Sequence, residues 1–572
     1  MKASDYIVQY IIKQGITDVF GYPGGMVTHL LESFSKYKDE ISSHVTYNEQ
    51  GAAMAACGYA QVSGKTGVAY ATSGPGATNM ITGICNAYMD SIPIVFITGQ
   101  VNSFEQKGNL AVRQRGFQET DIVSMVKGVT KYAVQVNDVN DLKRELKYAF
   151  YIAKQGRKGP VLLDITMDVT KSEIEGTDFL DTFESETNTL VISDDEIENI
   201  MKLIKKAKRP VLLIGNGVQR NKKNVDNMFS IINNLNIPVV SSMIAVDIRG
   251  YIDRYYGFIG AYGDRVANFI VAKSDLIVSL GARLDVRQVG ANRSNFAPNA
   301  KLIRIDIDQE ELKYKVHDDE IDVCMDAICA VDTIFIRWSE YAISYEEWNC
   351  CCKQLEQKLS GIDENLPNTF IKNISRYIPK NAVITTDVGQ NQVWVAQSFE
   401  TKNGQQILFS GGHGAMGYSL PAAIGAAFAR KGTVYSFNGD GGIQMNIQEL
   451  QTIIRENLPI KIIIFNNNAL GMIRHFQEMY FNGNYYQTTD CGGYSSPNFG
   501  RIAEAYGFEY IKINNLDDVS KIENVLQDSN PAIIEVQQFD DTYIFPKLEF
   551  GKPNQDQEPL LARALYEQLM NL

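Results

Sequence analysis

Two short polar motifs follow apolar runs whose composition is typical of buried strands. Asp440 lies in a Gly-Asp-Gly motif after the run Val434–Phe437, and Asn467 lies in an Asn-Asn pair after the run Ile462–Phe465. Their separation leaves room for one helical crossover. Both side chains would then lie at the carboxyl ends of neighbouring parallel strands, where open α/β sheets bind ligands. A carboxylate oxygen, an amide oxygen and the nearby backbone carbonyl of Ala469 form a ligand set that suits octahedral Mg²⁺.

Glycines beside these motifs indicate that a phosphate approaches the backbone. Gly441 and Gly442 lack side chains, so the amide groups at the start of the following helix can reach an anion. Each motif alone is an ordinary turn sequence. Together, in this order and at strand ends, they resemble the cofactor signature of the thiamine diphosphate enzymes. The resemblance implies that Asp440, Asn467 and the Ala469 carbonyl hold Mg²⁺ and, with it, the diphosphate of thiamine diphosphate.

Glu49 is the candidate for proton transfer in such an enzyme. It follows Val45–Asn48 and opens a helix of small residues, Gln50–Ala56. Thiamine diphosphate is activated when a carboxylic acid hydrogen-bonds its aminopyrimidine ring, which requires a glutamate in apolar surroundings. Considered alone, Glu49 is better explained as a helix N-terminal acid that the helix dipole stabilises. The motifs around Glu49 in the sequence favour the catalytic role instead.

Further motifs occur in family order and resemble the acetolactate synthase (acetohydroxyacid synthase) family over nearly the whole chain. The family implies an α/β fold of three doubly wound parallel-sheet domains, which are a pyrimidine-binding, a central dinucleotide-type and a diphosphate-binding domain. It also implies a homodimer or homotetramer, since Glu49 would reach cofactor held by the third domain of a second subunit. The motifs are Gly21–Gly25, Asn48–Met54, Thr72–Asn79, Ile97–Gln100, Thr385–Gln390, Met416–Pro421 and Leu470–Met472.

The resemblance assigns roles to individual residues. Gly414 would offer its carbonyl to the pyrimidine amino group, and Met416 would hold the cofactor bent. The residues implied at the reaction centre are Glu49, Gly24, Gly25, Phe117 and Gln118. His413, which departs from the family, lies beside Gly414 and is a further catalytic candidate. Further cofactor contacts are implied at Pro23, Thr72, Gly76, Asn79, Gly389, Gln390, Gly439, Gly441, Gly442, Leu470, Gly471 and Met472.

Several residues depart from the family where an acceptor substrate or a flavin would lie. In acetolactate synthases a Trp at the position of Phe476 helps to select the second 2-oxo acid, and Phe removes bulk and an N–H donor. Met167 in place of Lys weakens the positive field for a second carboxylate. The substitutions are Asn48 for His, Met167 for Lys, Val286 for Asp, His413 for Leu, His475 for Gln and Phe476 for Trp.

The acceptor predicted from these departures is larger than a second 2-oxo acid. The tail from Pro546 is similar to acetolactate-synthase-like enzymes of polysaccharide gene clusters, some of which add a two-carbon unit from pyruvate to a nucleotide-linked keto sugar. Arg113 and Arg115, in a lengthened loop, could bind its phosphate or could be ordinary solvated arginines. His413 could transfer a proton to the acceptor, and His475 and Phe476 are further candidate contacts.

Other thiamine diphosphate-dependent activities are also compatible with these residues. An ordinary acetolactate synthase would condense two 2-oxo acids, and a simple decarboxylase would protonate the intermediate instead of ligating it. An oxidase would need a redox-active flavin. Retention of Glu49, Asp440 and Asn467 argues against a relative that has lost catalysis.

The middle of the chain carries a weaker dinucleotide signal. Gly215 and Gly217 follow a predicted strand, and Asp306 ends another, as a ribose-facing acid would. Arg283 and Arg287 lie in and just after a Gly-Ala-Arg motif. FAD lies here in many relatives as a non-redox element, whereas some relatives keep the fold without flavin, so FAD binding remains an open expectation.

The elements that must position these residues are short apolar runs separated by helical patterns, which predict parallel sheets covered by helices. A chain of 572 residues is too long for one core. Weakly patterned stretches at about 170–192 and 340–368 predict domains at 1–180, 190–340 and 365–545, with a tail at 546–572. Similar strand-to-turn units at Val68 and Val434 suggest that the first and third domains share a fold. The predicted strands are Val68–Thr72, Ile94–Thr98, Val161–Ile165, Val211–Gly215, Leu276–Gly281, Leu302–Ile305, Val383–Thr386, Val434–Phe437 and Ile462–Phe465.

Composition argues against several partners. A net charge of −13 without a long basic run disfavours nucleic acid and anionic membranes. An amphipathic pattern that stops at Gly15 is not a targeting segment, and no apolar stretch approaches the roughly 20 residues of a membrane span. We therefore expect a soluble cytoplasmic enzyme with small-molecule substrates. The eight cysteines, Cys350–Cys352 among them, form no paired CxxC pattern and are expected to be reduced thiols.

Overall fold

The β-branched runs form strands, as their sequence predicts. The structure, a computed structural model, describes residues 1–175, 179, 192–218 and 225–572. Within these residues the strands form three parallel six-stranded sheets, and every run predicted as a strand is one. The prediction of an α/β protein with three parallel-sheet units is confirmed. The divide predicted at about 170–192 falls mostly on residues 176–178 and 180–191, which lie outside the described residues.

The first unit carries Glu49. Its strands are β1 (Asp18–Gly21), β2 (Ser42–Val45), β3 (Gly67–Ala71), β4 (Ile94–Gln100), β5 (Tyr132–Val136) and β6 (Val161–Thr166). Its helices are α1 (Ala3–Lys13), α2 (Thr28–Lys36), α3 (Glu49–Ser63), α4 (Pro75–Asn79), α5 (Ile81–Met89), α6 (Ile122–Val126), α7 (Val139–Lys154) and α8 (Met167–Lys171). The strand order is β2-β1-β3-β4-β6-β5. The order reverses between β1 and β3, and ligands bind at such switch points.

The middle unit has the strand order of dinucleotide-binding proteins. Its strands are β7 (Pro210–Ile214), β8 (Val239–Ser241), β9 (Tyr255–Phe258), β10 (Leu276–Leu280), β11 (Lys301–Asp306) and β12 (Ile321–Cys324). Its helices are α9 (Asp194–Lys206), α10 (Val225–Asn234), α11 (Arg265–Lys273), α12 (Val286–Val289), α13 (Gln309–Lys313), α14 (Ala327–Ala330), α15 (Ile336–Glu340) and α16 (Glu346–Leu359). The order β12-β11-β10-β7-β8-β9 corresponds to 3-2-1-4-5-6 read from the other edge, with its switch point between β7 and β10.

The third unit carries the Gly-Asp-Gly and Asn-Asn motifs. Its strands are β13 (Val383–Thr386), β14 (Gln406–Leu408), β15 (Val434–Gly439), β16 (Ile460–Asn466), β17 (Glu509–Ile513) and β18 (Ala532–Gln537). Its helices are α17 (Leu366–Tyr377), α18 (Gln390–Ser398), α19 (Ser419–Arg430), α20 (Asp440–Ile443), α21 (Leu450–Arg455), α22 (Gly471–Tyr480), α23 (Phe499–Tyr506) and α24 (Glu523–Gln527). The order β14-β13-β15-β16-β18-β17 repeats that of the first sheet, which confirms that these units share a fold.

Short helical segments and the tail complete the fold. The tail helix α25 (Arg563–Met570) packs on the middle unit, where Lys273 Nζ donates to the Met570 carbonyl at 2.7 Å. The short 3₁₀ segments are Gly25–Val27, Ser103–Glu105, Lys127–Val129, Met243–Gly250, Arg293–Asn295, Gln444–Glu449, Asp490–Gly492 and Leu516–Ile522, with a π-helical turn at Val331–Phe335. Among the described residues, no helix combines the length and apolar character that a membrane span needs.

The stretch at about 340–368, predicted to divide two domains, contributes to the middle core instead. Trp348, Cys352 and Leu355 on α16 are buried against it, and Trp348 Nε1 donates to the Pro210 carbonyl at 3.0 Å. Amphipathic spacing of a few large residues makes this polar segment helical. All eight cysteines are free thiols, as expected.

Helices α3 and α19 join the first and third units at very short range. A Cβ on Gly58 would overlap the carbonyl oxygen of Ala422, and a Cβ on Gly425 would overlap that of Ala55. Glycine at both positions therefore lets the two backbones touch. One continuous apolar core spans both units as a result.

We expect Gly425→Ala to destabilise the protein by about 1–3 kcal/mol, because the added methyl overpacks this crossing. The matched control is Gly432→Ala, where a Cβ would lie 3.9 Å from Arg430 Cγ. Thermal unfolding measures both variants. Equal unfolding midpoints would contradict the account of the crossing.

Candidate active site

Glu49 lies at the first residue of α3, where it is 7% exposed. Asn79 Nδ2 donates to Glu49 Oε2 at 2.9 Å. A Cβ on Gly76 would lie 3.0 Å from Glu49 Oε1, so glycine there leaves room for the carboxylate. Asn48, where the family has His, caps the helix by accepting the Gln50 amide at 2.8 Å. The carboxylate is thus held against the turn that follows β3.

The loops after β1 and β3 meet beside this carboxylate. The Met26 amide donates to Thr72 Oγ1 at 3.2 Å, and a Cβ on Gly24 would overlap the Thr72 side chain. A Cβ on Gly25 would meet open space, and the neighbouring Pro23 is exposed. The structure therefore brings together the first-unit candidates at one edge of the sheet, with glycine backbone facing outward.

Phe117 and Gln118 lie in a loop held next to the same turn. Glu119 organises this loop, because its carboxylate accepts the amides of Lys107 at 2.7 Å, Arg115 at 2.9 Å and Gly116 at 3.1 Å. A Cβ on Gly74 would lie 2.9 Å from Gln118 Cβ. Phe117 is 80% exposed and points away from the core. The loop thus presents an apolar ring and an amide beside the Glu49 cluster.

Three oxygen atoms converge at the carboxyl ends of β15 and β16. The Asn467 side-chain oxygen lies 3.0 Å from the Ala469 carbonyl oxygen and 3.1 Å from Asp440 Oδ1. Adjacent oxygens in an octahedral Mg²⁺ shell with bonds of 2.0–2.1 Å are about 2.9 Å apart. Burial raises the pKa of the Asp440 carboxyl to about 6, and a bound cation would favour its ionised form. These are the three predicted ligands, and their geometry suits a cation.

A chain of hydrogen bonds sets the orientation of the Asn467 amide. Gln390 Nε2 donates to the Thr542 carbonyl at 2.7 Å, which leaves Gln390 Oε1 to accept from Asn467 Nδ2 at 3.0 Å. In this arrangement the Asn467 oxygen faces Asp440 and Ala469, as a bound cation requires. Without a cation, a turned amide would instead donate to both oxygens. Glycine at position 471 leaves room for these hydrogen bonds, since a Cβ there would overlap Gln390 Oε1.

The walls of the third-unit site are apolar. A Cβ on Gly441 would lie 2.7 Å from Leu470 Cδ2 and 3.7 Å from Met416 Cε, so both side chains border the Gly-Asp-Gly backbone. Tyr494 was not predicted from the sequence, yet its hydroxyl donates to Asp440 Oδ2 at 2.8 Å. It follows a glycine pair far from either motif, so only the fold could reveal it. Gly389 adopts a φ of 147° before α18, where a side chain would be strained.

The loop that carries His413 and Gly414 is fastened from the first unit. Asp90 accepts the amides of Gly411 at 3.0 Å and Gly412 at 2.7 Å. Burial raises the pKa of the Asp90 carboxyl to about 6, although these amides oppose the shift. His413 is exposed, and Gly414 has a φ of 70°, which favours glycine. The loop thus presents His413 and the Gly414 carbonyl in a fixed frame.

The predicted acceptor residues fall into different environments. Phe476 is 40% exposed and packs on Tyr480, with ring centroids 4.7 Å apart. His475 is buried and stacked on Tyr543 at 4.1 Å. Burial, with the nearby Lys547 charge, lowers the pKa of His475 to about 4, so its imidazole is neutral at pH 7.

The two loop arginines also differ. Arg115 Nη1 donates to the Gln106 carbonyl at 3.2 Å and so braces its own loop. Arg113 is exposed on the same loop.

A cavity of about 330 Å³ lies between the three units. Gly217, Arg283, Arg287 and Asp306, the candidates for a dinucleotide site, all line this cavity. Gly215 serves a different purpose, since a Cβ there would overlap the Gly281 carbonyl oxygen and separate the loops after β7 and β10. Further lining groups are Lys154, Arg157, Asp90 and Tyr262.

Comparison with known proteins identifies the class of enzyme. Residues 1–125 match the thiamine pyrophosphate enzyme N-terminal TPP binding domain. Residues 197–334 match the central domain, and residues 387–536 match the C-terminal TPP binding domain of the same enzymes. The chain is a thiamine diphosphate-dependent enzyme.

Individual relatives define the family. The chain is 34% identical to the acetolactate synthase large subunit of Lactococcus lactis subsp. lactis (strain IL1403), over 96% of this chain and 94% of that one. It is 33% identical to the acetolactate synthase isozyme 2 large subunit of Escherichia coli (strain K12), over 97% and 99%. It is also 33% identical to the chloroplastic acetolactate synthase 1 of Nicotiana tabacum, over 96% and 84%. The chain belongs to the acetolactate synthase family, as the sequence motifs predicted.

Asp440→Ala should abolish Mg²⁺-dependent binding of thiamine diphosphate, because one of three converging oxygens is lost. Calorimetric titration of the cofactor with and without Mg²⁺ measures the effect. Asp517→Ala, which removes an exposed carboxylate of the same unit, is the matched control. Unchanged cofactor affinity in the Asp440 variant would show that the metal binds elsewhere.

Proposed function

We propose that this enzyme decarboxylates a 2-oxo acid, with pyruvate as the primary substrate, and transfers the acyl anion to a carbonyl acceptor. Its cofactors would be thiamine diphosphate and Mg²⁺. The convergence of the Asp440, Asn467 and Ala469 groups at one buried point carries this proposal, because an Asn467 oxygen that faces the other two completes a ligand set that suits Mg²⁺. Acetolactate synthase-like activity follows from the family.

One group of residues would transfer protons, and another would position the cofactor and the substrate. When bound, thiamine diphosphate would supply the nucleophilic carbon and the electron sink that decarboxylation of a 2-oxo acid needs. Glu49, oriented by Asn79, would share a proton with the pyrimidine ring nitrogen. The Gly414 carbonyl would accept from the pyrimidine amino group. Gln118 and Phe117 would border the substrate and exclude water from it.

Glu49→Gln should lower turnover by about 10²-fold or more, the usual loss when an acid–base group is removed. The amide preserves size, so the fold and the affinity for Mg²⁺ and thiamine diphosphate should persist. Steady-state kinetics with pyruvate, next to calorimetry of the cofactor, separates the two effects. Glu40→Gln, at an exposed carboxylate, is the control, and near-normal turnover in the Glu49 variant would remove Glu49 from the mechanism.

The active unit is proposed to be a dimer or tetramer. The side chain of Glu49 bonds within its own unit, to Asn79. The oxygens of Asp440, Asn467 and Ala469, here called the oxygen triangle, lie at the edge of another sheet. Large apolar side chains beside both half-sites are solvent-exposed in the single chain, including Tyr22 next to Pro23 and Met445 after α20. A second copy that covers these surfaces would bring the Glu49 of one subunit to the cofactor of the other.

The acceptor is proposed to be a carbonyl compound larger than a second pyruvate, with a phosphate group, such as a nucleotide-linked keto sugar. Phe476 and Tyr480 are partly exposed, and Phe has less bulk than the Trp of the family and lacks its N–H donor. Arg113 offers an exposed guanidinium for a phosphate, and His413 is exposed and available for proton transfer to the acceptor. An ordinary acetolactate synthase that condenses two 2-oxo acids is the alternative.

Competition between acceptors tests this choice. With pyruvate at fixed concentration, we expect a keto-sugar nucleotide to suppress acetolactate formation and yield a sugar adduct, both measured by mass spectrometry. Phe476→Trp should restore acetolactate formation by returning the bulk and the N–H donor of the family's Trp, whereas Phe481→Trp, on a neighbouring exposed ring, should not. Efficient acetolactate formation that neither the sugar nor Phe476→Trp alters would identify an ordinary acetolactate synthase.

FAD is proposed as a non-redox ligand of the three-unit cavity. The strand order of the middle unit, the cationic Arg283 and Arg287, and the acidic Asp306 at the end of β11 all fit a dinucleotide. The visible absorbance of the purified protein reports bound flavin. Protein that is colourless and gains no thermal stability from added FAD would exclude the proposal.

A further inference from the structure

Glu449 is a buried acid that the chemistry above leaves unused. It ends the 3₁₀ segment Gln444–Glu449 of the third unit and is 0% exposed. Its Oε1 accepts the Tyr47 amide at 2.8 Å, and its Oε2 accepts the Thr452 hydroxyl at 2.9 Å. The carboxylate therefore reaches from the third unit into the first, across the domain junction.

The contacts of Glu449 fall on the segment that leads into Glu49. The Tyr47 amide bonds its carboxylate, and the amide of Asn48, the residue before Glu49, also favours the ionised form of Glu449. A Cβ on Gly51 would lie 2.6 Å from Glu449 Oε1, so the carboxylate also lies against the first turn of α3. An anion at a helix N-terminus is stabilised by the helix dipole and by the free amides there.

Neighbouring side chains of α21 hold the same segment. Arg455 Nη2 donates to the Val45 carbonyl at 2.5 Å, and Arg455 Nη1 donates to the Tyr47 hydroxyl at 3.4 Å. Burial raises the pKa of the Glu449 carboxyl to about 7, although the hydrogen bonds from Thr452 and the two amides oppose the shift. These donors offset part of the cost of taking the carboxylate out of water.

We propose that Glu449 is a positioning residue for Glu49, and that through it the third unit of each subunit fixes that subunit's own Glu49. The proposal rests on the proposed role of Glu49 in proton transfer. The continuous segment Asp440–Glu449 begins at the oxygen triangle and ends at this contact. The segment that would hold cofactor in one site thus also sets the acid that would serve another site.

Two variants approach the contact from opposite sides. Glu449→Gln keeps the size of the side chain but removes its charge and replaces one acceptor oxygen with a donor, so the Tyr47 amide and the Thr452 hydroxyl can no longer both donate to it. Gly51→Ala keeps every polar group but pushes on Glu449 Oε1. Each should lower kcat by about 10- to 100-fold, the scale of a small misplacement at a reacting centre. KM for pyruvate and the affinity for Mg²⁺ with thiamine diphosphate should change less than about 2-fold, since neither variant touches those sites.

The double variant Glu49→Gln/Glu449→Gln distinguishes positioning from a general structural effect. If Glu449 acts through Glu49, adding Glu449→Gln should leave the residual rate of Glu49→Gln unchanged. The control is Glu504→Gln, at an exposed acid of α23, and thermal unfolding establishes that each variant is folded. Normal kcat in both single variants, or multiplied losses in the double variant, would overturn the proposal. Near-normal turnover in Glu49→Gln alone would instead overturn the proposed function of Glu49.

Discussion

The contact of two helix backbones at Gly58 and Gly425 is the constraint on which the other features depend. Because α3 and α19 touch there, the first and third units share one apolar core and cannot shift independently. Buried carboxylates can then bridge the junction, as Asp90 does to the amides of Gly411 and Gly412. The third unit therefore helps to position the segment that leads into Glu49, and the first unit helps to position the loop that carries His413 and Gly414.

Sequence patterns predicted what local chemistry dictates. β-Branched runs became strands, and Asp440 with Asn467 came together because parallel strands end at one edge. The repeated strand-to-turn units predicted the shared topology of two sheets. Gly215 and Gly217 correctly indicated a tight turn after a strand of the middle unit. Gly215, however, allows close contact with the Gly281 loop and does not itself line the cavity.

Features that depend on distant pairing were not predictable. Tyr494 bonds Asp440 from a loop with no motif, and Glu449 bonds Tyr47 although the two residues are 402 positions apart in the chain. Polar composition concealed the helix α16, because a few large residues at helical spacing suffice to bury one face. Asn48 appeared as a departure from the family, yet it still serves α3 as an N-cap. Such side chains acquire their role only from the tertiary structure.

The central proposal is that each active site combines Glu49 of one subunit with the Asp440, Asn467 and Ala469 oxygens of another. Co-expression of Glu49→Gln and Asp440→Ala chains with different affinity tags, followed by purification through both tags, isolates mixed dimers. Each mixed dimer would hold one intact site and one doubly altered site, so the account predicts about half of the wild-type rate per dimer. Mixed dimers as inactive as either parent would contradict it, since every site formed within a single chain would then lack one of the two groups.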